Sequence, residues 1–213
     1  MGKLLHISAS PRGTESESLA IAAAFVDAYR ETHPDDEVEH WDLWDGTLPA
    51  FGPAETEAKM TLIRGGTPTG AAQHAWDAVI AAFHRFDAAD RLLFSVPMWN
   101  AGIPYILKQF IDVVSQPGLL WGFDAQTGYE PLLRNKKAAV VYTSAVWAPG
   151  LPTGFGTDFQ STFFDDWLRW AGITDITAVR HHPTVLGDVE DSRRTAVAAA
   201  REAAKTWETA GTP

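Results

Sequence analysis

The stretch SVPMWNAGIPYILKQFIDVV, Ser95 to Val114, joins an apolar run to a helical pattern through a single turn. Leu92, Leu93 and Phe94 lead into Ser95-Val96-Pro97, and a strand is read over Arg91 to Ser95. After Met98, Trp99, Asn100, Ala101 and Gly102, apolar residues recur at Ile103, Leu107, Phe110 and Val114, the spacing of an amphipathic helix. A buried strand that feeds directly into a helix is the repeating unit of a parallel α/β sheet. Sheets of that kind hold ligands beyond the C-terminal ends of their strands, which is where Trp99, Asn100 and Gly102 fall.

The same unit recurs on both sides of this stretch. Lys3 to Ile7 reads as an opening buried strand, followed by the polar loop SASPRGTES and a helix from about Ser18 to Thr32, with Leu19, Ala22, Val26 and Tyr29 on one face. Glu37 to Leu43 reads as a second strand. An irregular segment with a short helix near Glu55 to Ile63 follows, and then a strong helix over Ala72 to Phe86. Beyond Val114, the segment 116–133 looks like a hairpin excursion with Gln126, Thr127 and Gly128 at its tip. Lys137 to Thr143 is the fourth strand, Asp158 to Ala171 a helix, Ile173 to His181 the fifth strand and Asp188 to Trp207 the last helix. Residues 1–213 are thus expected to form one domain, a doubly wound five-stranded parallel sheet with helices on both faces. Its ligand loops follow the first, third and fourth strands.

Composition narrows what such a sheet could bind. The 213 residues are 46% hydrophobic and 21% charged, which is globular. With 27 acidic against 17 basic side chains the net charge is -10, so nucleic acid is a poor partner. An anionic ligand must be held by local amides and a few placed cations. There is no cysteine, which excludes disulfides, thiolate nucleophiles and zinc–thiolate sites. No run approaches the roughly 18 apolar residues of a membrane span, and a cytoplasmic protein is the default expectation.

The first loop offers Ser8, Ser10, Arg12, Thr14, Ser16 and Ser18 and ends at a helix N-terminus, where free N–H groups favour a phosphate. It matches neither GxxxxGK[ST] nor GxGxxG, so a single phosphate is the natural guest. Ser16 and Ser18 read equally well as helix caps. The second loop combines flat contact from Met98 and Trp99 with the side-chain amide of Asn100 and exposed backbone amides. That set suits an aromatic heterocycle with several acceptors, although Trp99 taken singly reads as core and Asn100 as a turn residue. His181-His182 is read as structural rather than metal-binding, because adjacent strand residues face opposite ways.

Pro97-Met98-Trp99-Asn100 before LKQFID, then GLLWGF, GYEPLL, KKAAVVYTS and AGITDI, resemble the FMN-dependent NADH-azoreductases, within the wider flavodoxin-like NAD(P)H:quinone oxidoreductases. The similarity covers nearly the whole chain in order and spacing. It implies a bound FMN whose phosphate is met by Ser10, Ser16, Glu17 and Ser18, with Arg12 nearby. Pro97, Met98, Trp99, Asn100 and Ala101 would lie along the flavin ring, and Ser144, Ala145, Val146 and Trp147 at its pyrimidine edge. It implies NADH or NADPH as electron donor, a quinone or azo compound as acceptor, ping-pong turnover, and a homodimer in which Trp121 and Phe123 complete the substrate pocket of the other subunit. No catalytic side chain is implied; the flavin carries the chemistry. Two departures stand out. Many members carry a Ser-Arg-Gly-Gly-like segment where this chain has Ser144-Ala145-Val146-Trp147, which makes the pocket wall bulkier. Glu17 also lies inside the phosphate loop, so its carboxylate must point away and act as a favourable acid in a helix's first turn. The rival reading is a non-catalytic electron carrier or redox-responsive flavin-binding module on the same fold, distinguished by a flavin that NADH fails to bleach.

Overall fold

The computed structural model describes residues 2–207. In chain order the elements are β1 (Lys3–Ser8), α1 (Glu17–Thr32), β2 (Glu37–Asp42), α2 (Pro53–Ile63), α3 (Gly70–Asp87), β3 (Arg91–Pro97), α4 (Tyr105–Val114), β4 (Trp121–Asp124), β5 (Gly128–Pro131), β6 (Lys137–Thr143), α5 (Ser161–Trp170), β7 (Asp175–His181) and α6 (Val189–Thr206). Five strands pair in parallel in the order β2-β1-β3-β6-β7. The central strands β1, β3 and β6 are buried along almost their whole length, which explains their near-continuous apolar sequences. β4 and β5 pair antiparallel as a separate hairpin.

Alternation along each strand divides the core between two faces. Leu4, Leu93, Ala139 and Val141 pack against Ile21, Phe25 and Tyr29 of α1 and Ala200 and Ala204 of α6. Leu5, Phe94, Val140 and Tyr142 pack against Phe86, Leu107, Phe110, Phe164 and Leu168 of α3, α4 and α5. At the N-terminal end of the sheet, Arg91 pairs with Asp36 at 2.7 Å, and the Tyr29 hydroxyl donates to the same carboxylate at 2.6 Å. Among the described residues no helix is long and apolar enough to cross a membrane.

Several expected boundaries move, each for a local reason. α4 begins at Tyr105, not Ile103, because Pro104 starts it (φ -59°) and the turn before it occupies Trp99–Gly102. α5 begins at Ser161, not Asp158: the Asp158 carboxylate lies ahead of the helix and accepts from the N–H groups of Gln160 (3.0 Å) and Ser161 (2.7 Å). β7 begins at Asp175, not Ile173, because Ile173 N–H still closes α5 on the Leu168 carbonyl. Gly172 makes that exit with φ +100°, and a Cβ there would come within 2.7 Å of the Leu133 carbonyl oxygen. The hairpin tip is Ala125–Thr127, with Gly128 already paired to Asp124 in β5.

The strand order reverses between β1 and β3, since the chain goes from β1 to one edge and then crosses back. Ser8, Pro97 and Thr143 end β1, β3 and β6 side by side, so the three loops expected to bind a ligand leave the sheet together.

Candidate functional site

After β1 the chain runs through Ala9 to a single 3-10 turn at Gly13–Glu15, with Gly13 at φ +52°, and enters α1. Ser16 is the N-cap: its hydroxyl accepts from Leu19 N–H at 3.3 Å and lies 3.1 Å from the Ser18 hydroxyl. The capping reading of Ser16 is therefore met, but capping serves only one of the helix's orphan donors. The N–H groups of Glu17 and Ser18 have no acceptor among the described residues. Ser10 is buried beside them, and Arg12 is exposed with no carboxylate within ion-pair distance among the described residues. Two free amides at the positive end of a 16-residue helix, with hydroxyls and a guanidinium nearby, suit a phosphate. The Glu17 carboxylate is held by Arg193 Nε of α6 at 2.9 Å, with the buried His181 Nε2 at 3.8 Å. Burial holds the His181 ring below its ordinary pKa, against the pull of Glu17.

The loop after β3 is built differently from its sequence expectation. Met98 N–H donates to the Thr143 carbonyl at 2.7 Å, and Trp99 and Gly102 exchange both backbone hydrogen bonds at 2.8 and 2.9 Å. The amides of Met98 and Trp99 are thus engaged, while those of Asn100 and Ala101 lack an acceptor among the described residues. Both residues are left-handed, with φ +48° and +68°, the pattern of a tight two-residue hairpin turn. An alanine in that region costs about 1–2 kcal/mol, so its surroundings must impose it. They do so from the segment ahead of α5: Phe159 N–H donates to the Ala101 carbonyl at 3.0 Å. Fully buried Gln160 donates its side-chain amide to the carbonyls of Val96 (2.7 Å) and Thr143 (3.4 Å). The Trp99 ring is backed by Trp44 at 5.8 Å and Tyr105 at 6.3 Å, and Trp44 Nε1 is anchored on the Ala9 carbonyl.

After β6 the Ser144 hydroxyl donates to the Trp147 carbonyl and accepts from His182 Nδ1 at 2.8 Å. Its side chain therefore shapes the loop. The Trp147 ring meets His182 edge to face at 5.2 Å, and burial pushes that histidine's pKa down to about 4. Thr184 N–H reaches the Ser144 carbonyl at 2.9 Å and ties the following loop to this one.

The three loops line a cleft of about 130 Å³ whose mouth opens to solvent. Of the residues expected from sequence, Ser10, Arg12, Ser16, Glu17, Pro97, Met98, Trp99, Ser144 and Ala145 line it. Thr143 and Thr184 line it as well, and sequence reasoning missed both. Ser18 lies behind Ser16, Asn100 and Ala101 extend the wall from Trp99, Val146 is exposed at the rim and Trp147 packs back on His182. Trp121 and Phe123 are not brought to this cleft within the chain. They line a separate cavity of about 440 Å³ with Ile63, Pro117 and Tyr129.

A protein-family model described as a flavodoxin-like fold matches residues 2–207. An FMN-dependent NADH:quinone oxidoreductase of Ruegeria pomeroyi is 50% identical over 188 residues, covering 88% of this chain and 92% of that protein. A protein of the same name from Desulfotalea psychrophila is 36% identical over 198 residues, 93% of each chain. Among solved structures, an azoreductase from Bacillus anthracis superposes with TM-score 0.88 at 23% identity, covering 97% of this chain and 100% of that one. A B. anthracis FMN-dependent NADH-azoreductase in complex with FMN superposes with TM-score 0.87 at 22% identity, covering 96% and 98%. At these identities the structural likeness speaks to the fold.

Proposed function

We propose, from the premise that this chain belongs to the flavodoxin-like family of FMN-dependent NADH:quinone oxidoreductases, that it binds FMN and passes two electrons from NADH to a quinone or azo acceptor. The observation that carries this reading is the pairing of free amides at two points of one cleft: Glu17 and Ser18 at a helix N-terminus, Asn100 and Ala101 in a left-handed turn. The donor set fits FMN at both ends. When bound, FMN supplies the two-electron redox chemistry.

The chain's own residues bind, orient and shield. Ser10, Ser16 and the amides of Glu17 and Ser18 hold the phosphate, with Arg12 at the edge, while Arg193 keeps the Glu17 carboxylate occupied. Pro97, Met98 and Trp99 form the wall under the ring, stiffened by Trp44 and Tyr105. The N–H groups of Asn100 and Ala101, which have no acceptor among the described residues, would donate to the edge of a bound ring and stabilise negative charge there. Ser144 to Trp147 border the opposite, pyrimidine edge. With this wall on one side of a bound ring, donor and acceptor would use the other side in turn, which would give ping-pong kinetics.

The same reading includes a homodimer. Its support is that Tyr105, Phe123, Tyr129 and Phe159 are each more than half exposed. The hairpin of a second copy then brings Trp121 and Phe123 to the open side of each cleft.

Steady-state kinetics at varied NADH and quinone test the mechanism. Parallel double-reciprocal lines are expected. Intersecting lines, which require both substrates bound together, would overturn the single shared face.

A further inference from the structure

A second cavity, of about 510 Å³, runs between α1 and the edge strand β2 and shares no lining residue with the flavin cleft. Helix α1 presents Leu19, Ala23 and Val26 to it, and β2 presents Val38 and His40. The alanine leaves room where a larger side chain would close the helix onto the sheet. The volume is that of an ordinary small-molecule site.

Thr14, Asp27 and Arg30 add polar groups to the lining, and its most buried polar group is His6. His6, 8% exposed, lies in register with His40 on the neighbouring strand, and the two rings stack at 4.7 Å and 23°. Burial, and then the neighbouring His40, push the His6 pKa down to about 3, so the ring is neutral at ordinary pH. The Ser95 hydroxyl donates to the Ser18 carbonyl at 3.4 Å and so accepts from His6 Nε2–H at 2.8 Å. That fixes the tautomer. His6 Nδ1 is left as a bare acceptor with no hydrogen-bond partner among the described residues, on a side chain that lines the cavity. A neutral acceptor on the groove wall with no protein partner takes its donor from water or from a guest. At the far end Asp27 and Arg30 carry opposite charges, so the cavity selects no net sign and favours a neutral guest.

We propose that this groove is a second small-molecule site, which takes a flat neutral aromatic with one hydroxyl or N–H donor, its ring against His40 and the apolar face of α1 and its donor on His6 Nδ1. A neutral phenol or naphthol has that chemistry.

The test uses the FMN-loaded protein, so that the flavin cleft is filled, and two probes of nearly equal shape: 2-naphthol, which carries a donor, and 2-methoxynaphthalene, which does not. Amide and imidazole NMR shifts report the binding. 2-Naphthol is expected to move the amides of Ala20, Ala23 and Val38 and the His6 ring nitrogens, and to bind about tenfold more tightly than the ether, because the acceptor stays unpaired in the ether complex. Ala23→Phe, at an exposed helix position outside the flavin cleft, is expected to abolish these shifts and leave FMN affinity unchanged. Equal binding of the two probes, shifts confined to the flavin cleft, or a His6 ring protonated on Nδ1 would each overturn the proposal.

Discussion

The side-chain amide of Gln160 donates to the Val96 carbonyl at 2.7 Å and ties the loop ahead of α5 to the end of β3. The same nitrogen reaches the Thr143 carbonyl at the end of β6, so one buried side chain clamps the two strand ends at the mouth of the proposed flavin cleft. The adjacent Phe159 N–H holds the Ala101 carbonyl of the left-handed turn. Gln160→Leu keeps the approximate volume, removes the clamp and takes the Gln160 donor away from the Val96 carbonyl, while the Thr143 carbonyl keeps its bond from Met98 N–H. FMN should then bind at least about tenfold more weakly, the loss of one buried hydrogen-bond set, with an unchanged far-ultraviolet circular dichroism spectrum. Titration by quenching of flavin fluorescence measures it. Wild-type affinity would mean that the Trp99–Gly102 pair supports the turn alone.

The phosphate end gives a separate prediction. Hydrogen bonds to a charged group are worth roughly 1.5–3 kcal/mol each, and two free amides and two hydroxyls converge there. Riboflavin should therefore bind at least about a hundredfold more weakly than FMN. Equal affinity for the two would remove the loop before α1 from the site.

The departure at Val146 and Trp147 bears on acceptor choice. Val146 stands exposed at the rim, and the Trp147 ring fills the space between His182 and Gly156, where a Cβ would lie 3.9 Å from Trp147 Cδ1. Both positions are bulky, so small quinones should be reduced more efficiently than large sulfonated azo dyes. Trp147→Gly should raise kcat/KM for the dyes several-fold and leave that for a small benzoquinone nearly unchanged. A loss of dye activity in the variant would make Trp147 a stacking platform instead.

His6 makes stability depend on pH. Its folded pKa is lowered from 6.5 to about 3 by burial, so below pH 6.5 the unfolded chain takes up a proton that the folded chain refuses. The contribution is complete above that pH and is lost as pH falls toward 3, by up to about 1.4 kcal/mol per pH unit. Urea unfolding at several pH values should show a steeper acid loss for the wild type than for His6→Gln. Identical slopes would mean that His6 is charged in the folded protein.

Much of the fold is legible in the sequence because β1, β3 and β6 are buried on both faces and so read as near-continuous apolar runs. The loop positions follow from those strands. The bracing of the site is less legible. Gln160 lies 64 residues from Val96, and Trp44 sits in an irregular segment with no period to place its ring against Trp99. Met98 reads as an open amide until the neighbouring strand supplies the Thr143 carbonyl. Asn100 announces a left-handed turn, whereas Ala101 does not, because only its surroundings force it there. Trp121 and Phe123 lie away from the cleft in a single chain, and no local pattern encodes what a second copy would bring.

The most direct test of the central claim is anaerobic mixing of the FMN-loaded protein with NADH, followed by addition of a quinone. The account predicts rapid bleaching of the flavin's visible absorbance and its full return as the quinone is reduced. A flavin that stays yellow with NADH, in a protein that holds FMN tightly, would contradict it and mark the chain as an electron carrier on the same fold.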